Sequence, residues 1–311
     1  MTTRVAAIDC GTNSIRLLVA DLPPAGSGPD APFTEVVRRM RIVRLGEGVD
    51  RTGRLSTDGL ERTRLALADY AAEIKALGVE RVRLCATSAT RDASNGEEFA
   101  AMVRATLGIS PEVISGAEEA RLSFTGAVRG LAADAPPPYL VVDIGGGSTE
   151  FVLGDSEVQA ATSVDVGCVR MTERHLRSDP PTPSEIAAAE ADITAAVDRA
   201  LAAVPGWQQA TLVGLAGSVT TVAAIALGLP AYDSQRIHRA RISADEVAAV
   251  TADLLSRTVA QRMELPVMHP GRADVIGAGA LVLRVVLERT GFSSLIVSEH
   301  DILDGIAWSL A

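Results

Sequence analysis

The sequence predicts an α/β fold built as two related domains, on three observations. At 311 residues, 47% of them apolar, the chain exceeds what one hydrophobic core usually serves and carries material for two. Aromatic residues make up only 3% while Ala, Val, Leu and Gly dominate, which suits helices layered on sheets better than an aromatic-rich β sandwich. The third observation is an internal repeat. Ala7-Ile8-Asp9-Cys10-Gly11-Thr12-Asn13-Ser14-Ile15-Arg16 aligns with Val141-Val142-Asp143-Ile144-Gly145-Gly146-Gly147-Ser148-Thr149-Glu150, and Asp21 and Asp155 follow in register. Each copy sets a short polar turn between apolar runs able to pair as hairpin strands.

In chain order, strands are expected at residues 5–9 and 15–20, then a Pro/Gly loop at 23–32 and a strand at 34–44. Ser56 caps a helix whose apolar face reads Leu60, Leu65, Leu67, Tyr70 and Ile74 and which Gly78 ends. A buried strand at 82–86, a helix at 96–107, a strand at 112–115 and a helix from Ala117 follow. The stretch 132–138, small residues and prolines that cannot continue a helix, is the clearest boundary signal. Because the helix carrying Glu118 is expected to cross between domains, the division is placed at 1–124 and 125–311, with the terminal helix 302–311 free to pack back on the first. The second half reads as strands at 139–144, 149–153, 163–166, 211–215 and 294–298 and helices at 184–204, 244–257, 273–289 and from Ile302. Strands joined by helical crossovers imply partly parallel sheets.

Composition also excludes function classes. The chain opens on a strand-like segment without a leader, and no apolar run reaches the roughly 18 residues of a membrane span, so no membrane partner and a cytoplasmic location are expected. A net charge of −10 opposes sequence-independent nucleic-acid binding, which works by neutralising phosphates. Cys10, Cys85 and Cys168 are far apart with no CxxC pair and read as buried small residues. His175, His238, His269 and His300 have no metal-ligand spacing.

The two turns carry the chemistry. Gly11, Thr12, Asn13 and Ser14, and Gly145, Gly146, Gly147 and Ser148, expose backbone N–H groups and hydroxyls without bulky side chains, which is what a cluster of anionic oxygens requires. Asp9 and Asp143 stand at the strand ends beside them and would repel phosphate without a divalent cation, so Mg²⁺, or Mn²⁺ in its place, is expected there. Glu118 and Glu119 are neighbours on one helix about 100° apart, so one of them faces any site and the residues alone leave open which.

Asp9 to Ser14, Ala86-Thr87-Ser88-Ala89-Thr90-Arg91-Asp92-Ala93, Ile114-Ser115-Gly116-Ala117-Glu118-Glu119-Ala120-Arg121 and Asp143 to Glu150 resemble, in order and spacing, the signatures of the exopolyphosphatase / guanosine pentaphosphatase (Ppx/GppA) family in its short two-domain form. The likeness runs on through Gly214-Leu215-Ala216-Gly217-Ser218-Val219-Thr220-Thr221 and Gly271-Arg272-Ala273-Asp274-Val275-Ile276. It implies two actin-like (ASKHA, ribonuclease H-like) domains around a central cleft, and metal-dependent release of orthophosphate from the end of inorganic polyphosphate. Guanosine pentaphosphate 5′-phosphohydrolase is the alternative within the family, and a non-catalytic alarmone-binding regulator is the alternative outside catalysis. By position, Glu119 falls at the family's base, Asp143 and Glu150 where metal and water are placed, and Arg91 at a phosphate contact. The family also implies a homodimer. Arg38, Arg39, Arg41 and Arg44 form a basic strand in which Arg38 and Arg44 are the expected members of a polyphosphate track. Where the family usually carries Leu-Arg-Glu-Gly, this chain has Ile302-Leu303-Asp304-Gly305.

Overall fold

The computed structural model describes residues 2–24, 26–27, 31–129, 131 and 135–311. Parts of the expected loop at 23–32 and boundary stretch at 132–138 lie outside the described residues. Two compact units emerge, Met1–Gly130 with Ile302–Ala311, and Leu131–Asp301. The expected division at residue 124 falls inside a helix that belongs wholly to the first unit.

Unit 1 runs β1 (Thr3–Cys10), β2 (Ser14–Leu22), β3 (Thr34–Ile42), α1 (Val49–Thr52), α2 (Thr57–Ala76), β4 (Arg81–Ala86), α3 (Ser88–Asp92), α4 (Gly96–Leu107), β5 (Glu112–Val113) and α5 (Gly116–Val128). Its sheet order is β3-β2-β1-β4-β5, antiparallel through β3, β2 and β1 and parallel from β1 through β4 to β5. Side chains of β1 alternate between two cores: Ala6, Ile8 and Cys10 meet Leu67 and Phe99 on one face, while Val5 and Ala7 join Leu122 and Ile306 on the other. Burial on both faces explains why the strand reads as an unbroken apolar run. Ser56 caps α2 through the Gly59 amide, but the buried stripe is Thr63, Ala66, Leu67, Tyr70 and Ile74, and Leu65 lies half-exposed on the solvent side.

Unit 2 contains β6 (Tyr139–Ile144), β7 (Thr149–Gly154), β8 (Val158–Val164), α6 (Cys168–His175), α7 (Pro183–Ala203), β9 (Thr211–Leu215), α8 (Ala216–Ala226), α9 (Ser234–Ile237), β10 (Arg241–Ser243), α10 (Ala244–Ser256), α11 (Val259–Met263), α12 (Ile276–Thr290) and β11 (Ser294–Ser298). The order β10-β11-β9-β6-β7-β8 repeats unit 1, with β6, β7, β8, β9 and β11 in the places of β1, β2, β3, β4 and β5. Both units thus carry the ribonuclease H-like core of the actin superfold, and the repeat seen in the sequence is a repeat of topology. The third strand of unit 2 starts at Val158, ahead of the expected 163–166.

Helix α13 (Ile302–Trp308) belongs to unit 1. Ile302, Leu303, Ile306 and Ala307 fill the second core, Trp308 stacks near Phe33 at 5.2 Å, and the Arg129 guanidinium lies 3.8 Å above its ring. Gly305 lets α13 lie directly on the backbone of α5: a Cβ there would come within 2.0 Å of the Leu122 carbonyl oxygen. Since a helix backbone cannot yield, Gly305→Ala should destabilise the protein by about 3 kcal/mol, the upper end of the usual overpacking cost, readable as a lowered thermal midpoint. An unchanged midpoint would contradict this packing.

The three cysteines are free and buried, as expected, and burial pushes all three thiols up. Among the described residues no helix is long and apolar enough to cross a membrane.

Candidate functional site

In unit 1 the turn between β1 and β2 is closed by the Gly11 amide donating to the Ser14 carbonyl at 2.9 Å. Its carbonyls are held from behind: Thr12 O accepts from the Gly46 amide at 2.9 Å, and Asn13 O from the Val43 and Arg44 amides at 3.0 and 2.9 Å. In a trans peptide the C=O and the following N–H point in opposite directions, so fixing these carbonyls turns the Asn13 and Ser14 amides the other way. The Thr12 hydroxyl shares a hydrogen bond with Ser88 at 2.9 Å, tying the turn to α3.

Unit 2 repeats the device with different parts. Gly145 N donates to Ser148 O at 3.0 Å. Gly145 O accepts from Cys168 N, Gly146 O from Val169 N and Arg170 N, and Gly147 O from the Arg170 Nε at 2.7 Å. The amides of Gly146, Gly147 and Ser148 therefore face away from α6, and those of Gly146 and Gly147 bond to no protein group among the described residues. Three successive amides turned one way form an anion-binding nest. Gly167 permits it: a Cβ there would lie 2.5 Å from the carbonyl carbon and oxygen of Gly146. Gly167 and Arg170 escaped the sequence reading because neither stands in the glycine turn.

The leading acids differ between the two copies. Asp9 faces Arg16 across β1 and β2, and the guanidinium meets its carboxylate at 2.8 Å. The equivalent pair in unit 2 is Asp143 facing Glu150, two buried carboxylates on adjacent strands. Opposed residues of antiparallel strands share one face with Cβ atoms about 5 Å apart, where like charges repel and a cation between them would relieve the repulsion. Among the described residues no three His, Cys, Asp or Glu side chains gather into a closed metal cage. Two carboxylates nevertheless suit Mg²⁺, which keeps waters and takes substrate oxygens for the rest of its shell. The residues present fit that ion, with Asp143 and Glu150 better placed than the Arg-paired Asp9.

Geometry also separates the two neighbouring glutamates. Ser115 caps α5 through the Glu118 amide at 3.2 Å, placing both acids in the first turn. Glu118 is partly exposed and ion-paired to Arg121 at 2.8 Å and Arg83 at 3.4 Å, Arg121 foremost holding its carboxyl below the usual range. Glu119 is buried, and its Oε2 accepts from Arg91 Nη1 at 3.1 Å, the same nitrogen that donates to Ile114 O at 3.0 Å. Arg91 and Glu119 thus come together as one group on α3 and α5.

The arginines of the expected track have these partners. Arg38 donates from Nη2 to Asp304 at 2.7 Å and from Nε to Glu35 at 2.8 Å, so it clamps β3 to the buried Asp304 of α13. Arg39 pairs with Glu73 and Arg41 with Asp69. These contacts neutralise the strand instead of leaving it a bare basic surface. Arg44 lies beyond β3, which ends at Ile42, in a left-handed conformation with φ 50° beside the first turn.

Residues 25–311 match the model of the Ppx/GppA phosphatase family. The chain is 52% identical to Exopolyphosphatase 2 of Mycobacterium tuberculosis, covering 99% of each. Among solved structures it is similar to an exopolyphosphatase-like protein, with a TM-score of 0.94 and 42% identity over 100% of this chain and 98% of that one. It also resembles the Aquifex aeolicus Ppx/GppA family member, with a TM-score of 0.80 and 32% identity over 100% and 98%.

Proposed function

Because the chain belongs to the Ppx/GppA phosphatase family, we propose that it is an exopolyphosphatase hydrolysing the terminal phosphoanhydride of inorganic polyphosphate. The observation that carries the reading is the pair of turns whose carbonyls are tied back so that their amides face one way, each beside a leading aspartate.

Phosphoryl transfer to water needs positioning and charge stabilisation more than a covalent nucleophile. In each unit the turn offers its own amides to phosphate oxygens, those of Asn13 and Ser14 in unit 1 and those of Gly146, Gly147 and Ser148 in unit 2. Glu119 accepts the proton of the attacking water, with Arg91 fixing the carboxylate that receives it. The water oxygen bonds to the terminal phosphorus, the bridging P–O bond breaks, and orthophosphate leaves with a chain one phosphate shorter. Asp143 and Glu150 would hold Mg²⁺, whose contribution is to neutralise the phosphate oxygens; Mn²⁺ can stand in. The reading extends to a cytoplasmic homodimer, for which light scattering is the check on assembly.

Measuring phosphate release from polyphosphate and from guanosine pentaphosphate side by side tests the assignment. Faster turnover of polyphosphate is expected; release only from the nucleotide would replace the reading with the 5′-phosphohydrolase. Gly167→Ala should displace the Gly145–Ser148 turn by about an ångström and cut kcat/KM about 10²-fold, the cost of such a misplacement. Wild-type kcat/KM in that variant would show that the turn does not position substrate.

A further inference from the structure

In unit 2 one rung of the sheet carries polar residues on three adjacent strands: Asp143 of β6 faces Glu150 of β7, and Glu150 faces Ser163 of β8. All three side chains leave the same face, since directly opposed residues of antiparallel strands do. Ser163 Oγ donates to Glu150 Oε1 at 2.7 Å, the length of a hydrogen bond to a charged carboxylate. Glu150 is 1% exposed, and a buried carboxylate needs donors to replace the water it has lost. A glutamate has three side-chain torsions, and a fixed donor at one oxygen selects among the rotamers they allow.

We propose that Ser163 is a positioning residue for Glu150: its hydroxyl holds the carboxylate in the orientation that presents it, beside Asp143, to the cation and the attacking water. This rests on the exopolyphosphatase reading. In this role Ser163 acts through Glu150 alone. A serine on an edge strand of small, half-buried residues carries no motif, so only the register across three strands reveals it.

The test compares Ser163→Ala and Ser163→Thr with the wild type in three measurements: steady-state phosphate release from polyphosphate, the thermal midpoint, and Mn²⁺ affinity without substrate by electron paramagnetic resonance. Ser163→Ala should lower kcat and Mn²⁺ affinity each by about 10–100-fold, the usual effect of losing a partner that orients a metal-site carboxylate, with KM and midpoint nearly unchanged. Ser163→Thr keeps the hydroxyl on a β-branched side chain that suits an edge strand, and should recover most of both. Full activity in Ser163→Ala, a loss in Ser163→Thr as large as in Ser163→Ala, or a change confined to the midpoint would each overturn the proposal. A wild-type protein that releases no phosphate from polyphosphate overturns the substrate reading instead, and the Mn²⁺ comparison still decides the role of Ser163.

Discussion

Glu119→Gln is expected to lower kcat by about 10²–10⁴-fold, the worth of a positioned base, with the thermal midpoint close to that of the wild type. The amide keeps the shape of the side chain and can still face Arg91, which now donates at 3.1 Å to the carboxylate. What it loses is the capacity to take a proton from water. Glu118→Gln is the control, because Glu118 is held charged by Arg121 and Arg83 in a network on the partly exposed side of α5. It should cost little beyond a surface ion pair, about 0–1 kcal/mol of stability. Equal loss of activity in the two variants, or a larger loss in Glu118→Gln, would remove Glu119 from the role of base.

Chelation with EDTA should abolish phosphate release, Mg²⁺ or Mn²⁺ should restore it, and Asp143→Ala should stay inactive at moderate Mg²⁺. The two copies of the repeat give this a second arm. Asp9 already faces Arg16, whereas Asp143 faces another acid. Asp9→Ala should therefore weaken activity less than Asp143→Ala does. Full activity in chelator would sink the metal reading; a greater loss from Asp9→Ala would move the cation to the first turn.

What the sequence made legible is what local chemistry dictates. Strand β6, an apolar run between prolines and the glycine turn, and strand β9, an apolar run ahead of a helix, match their expected limits, since such flanks leave little choice. Helix α4 likewise runs from Gly96 to Leu107, where Gly108 takes the left-handed conformation that ends it. Strand β8 was displaced because it is an edge strand of half-buried residues such as Thr162 with Gln159 exposed, so neither alternation nor an apolar run marks it. Helices α6 and α8 went unseen for a related reason. Each begins without a side-chain cap, from Gly167 and from Leu215. In the site, the turns and acids follow from spacing, but the support they receive does not. Arg170 beneath Gly147, Ser163 beside Glu150 and Arg38 on Asp304 are contacts made by folding, and a charged residue in a sequence does not declare its partner.

Helix α13 also sets an order of events during synthesis. Residues 131–301 are contiguous, so unit 2 can close once its own stretch has left the ribosome. Unit 1 cannot, because Ile302, Leu303, Ile306 and Ala307 of its second core are made only after the whole of residues 131–301. Domains generally fold as they emerge, N-terminal first. Here the rule is inverted: the β1–β2 hairpin waits with Val5, Ala7, Leu18 and Ala20 uncovered on one face while residues 131–301 are still being translated. That interval, rather than any weakness of the finished protein, is when a chaperone would have most to hold.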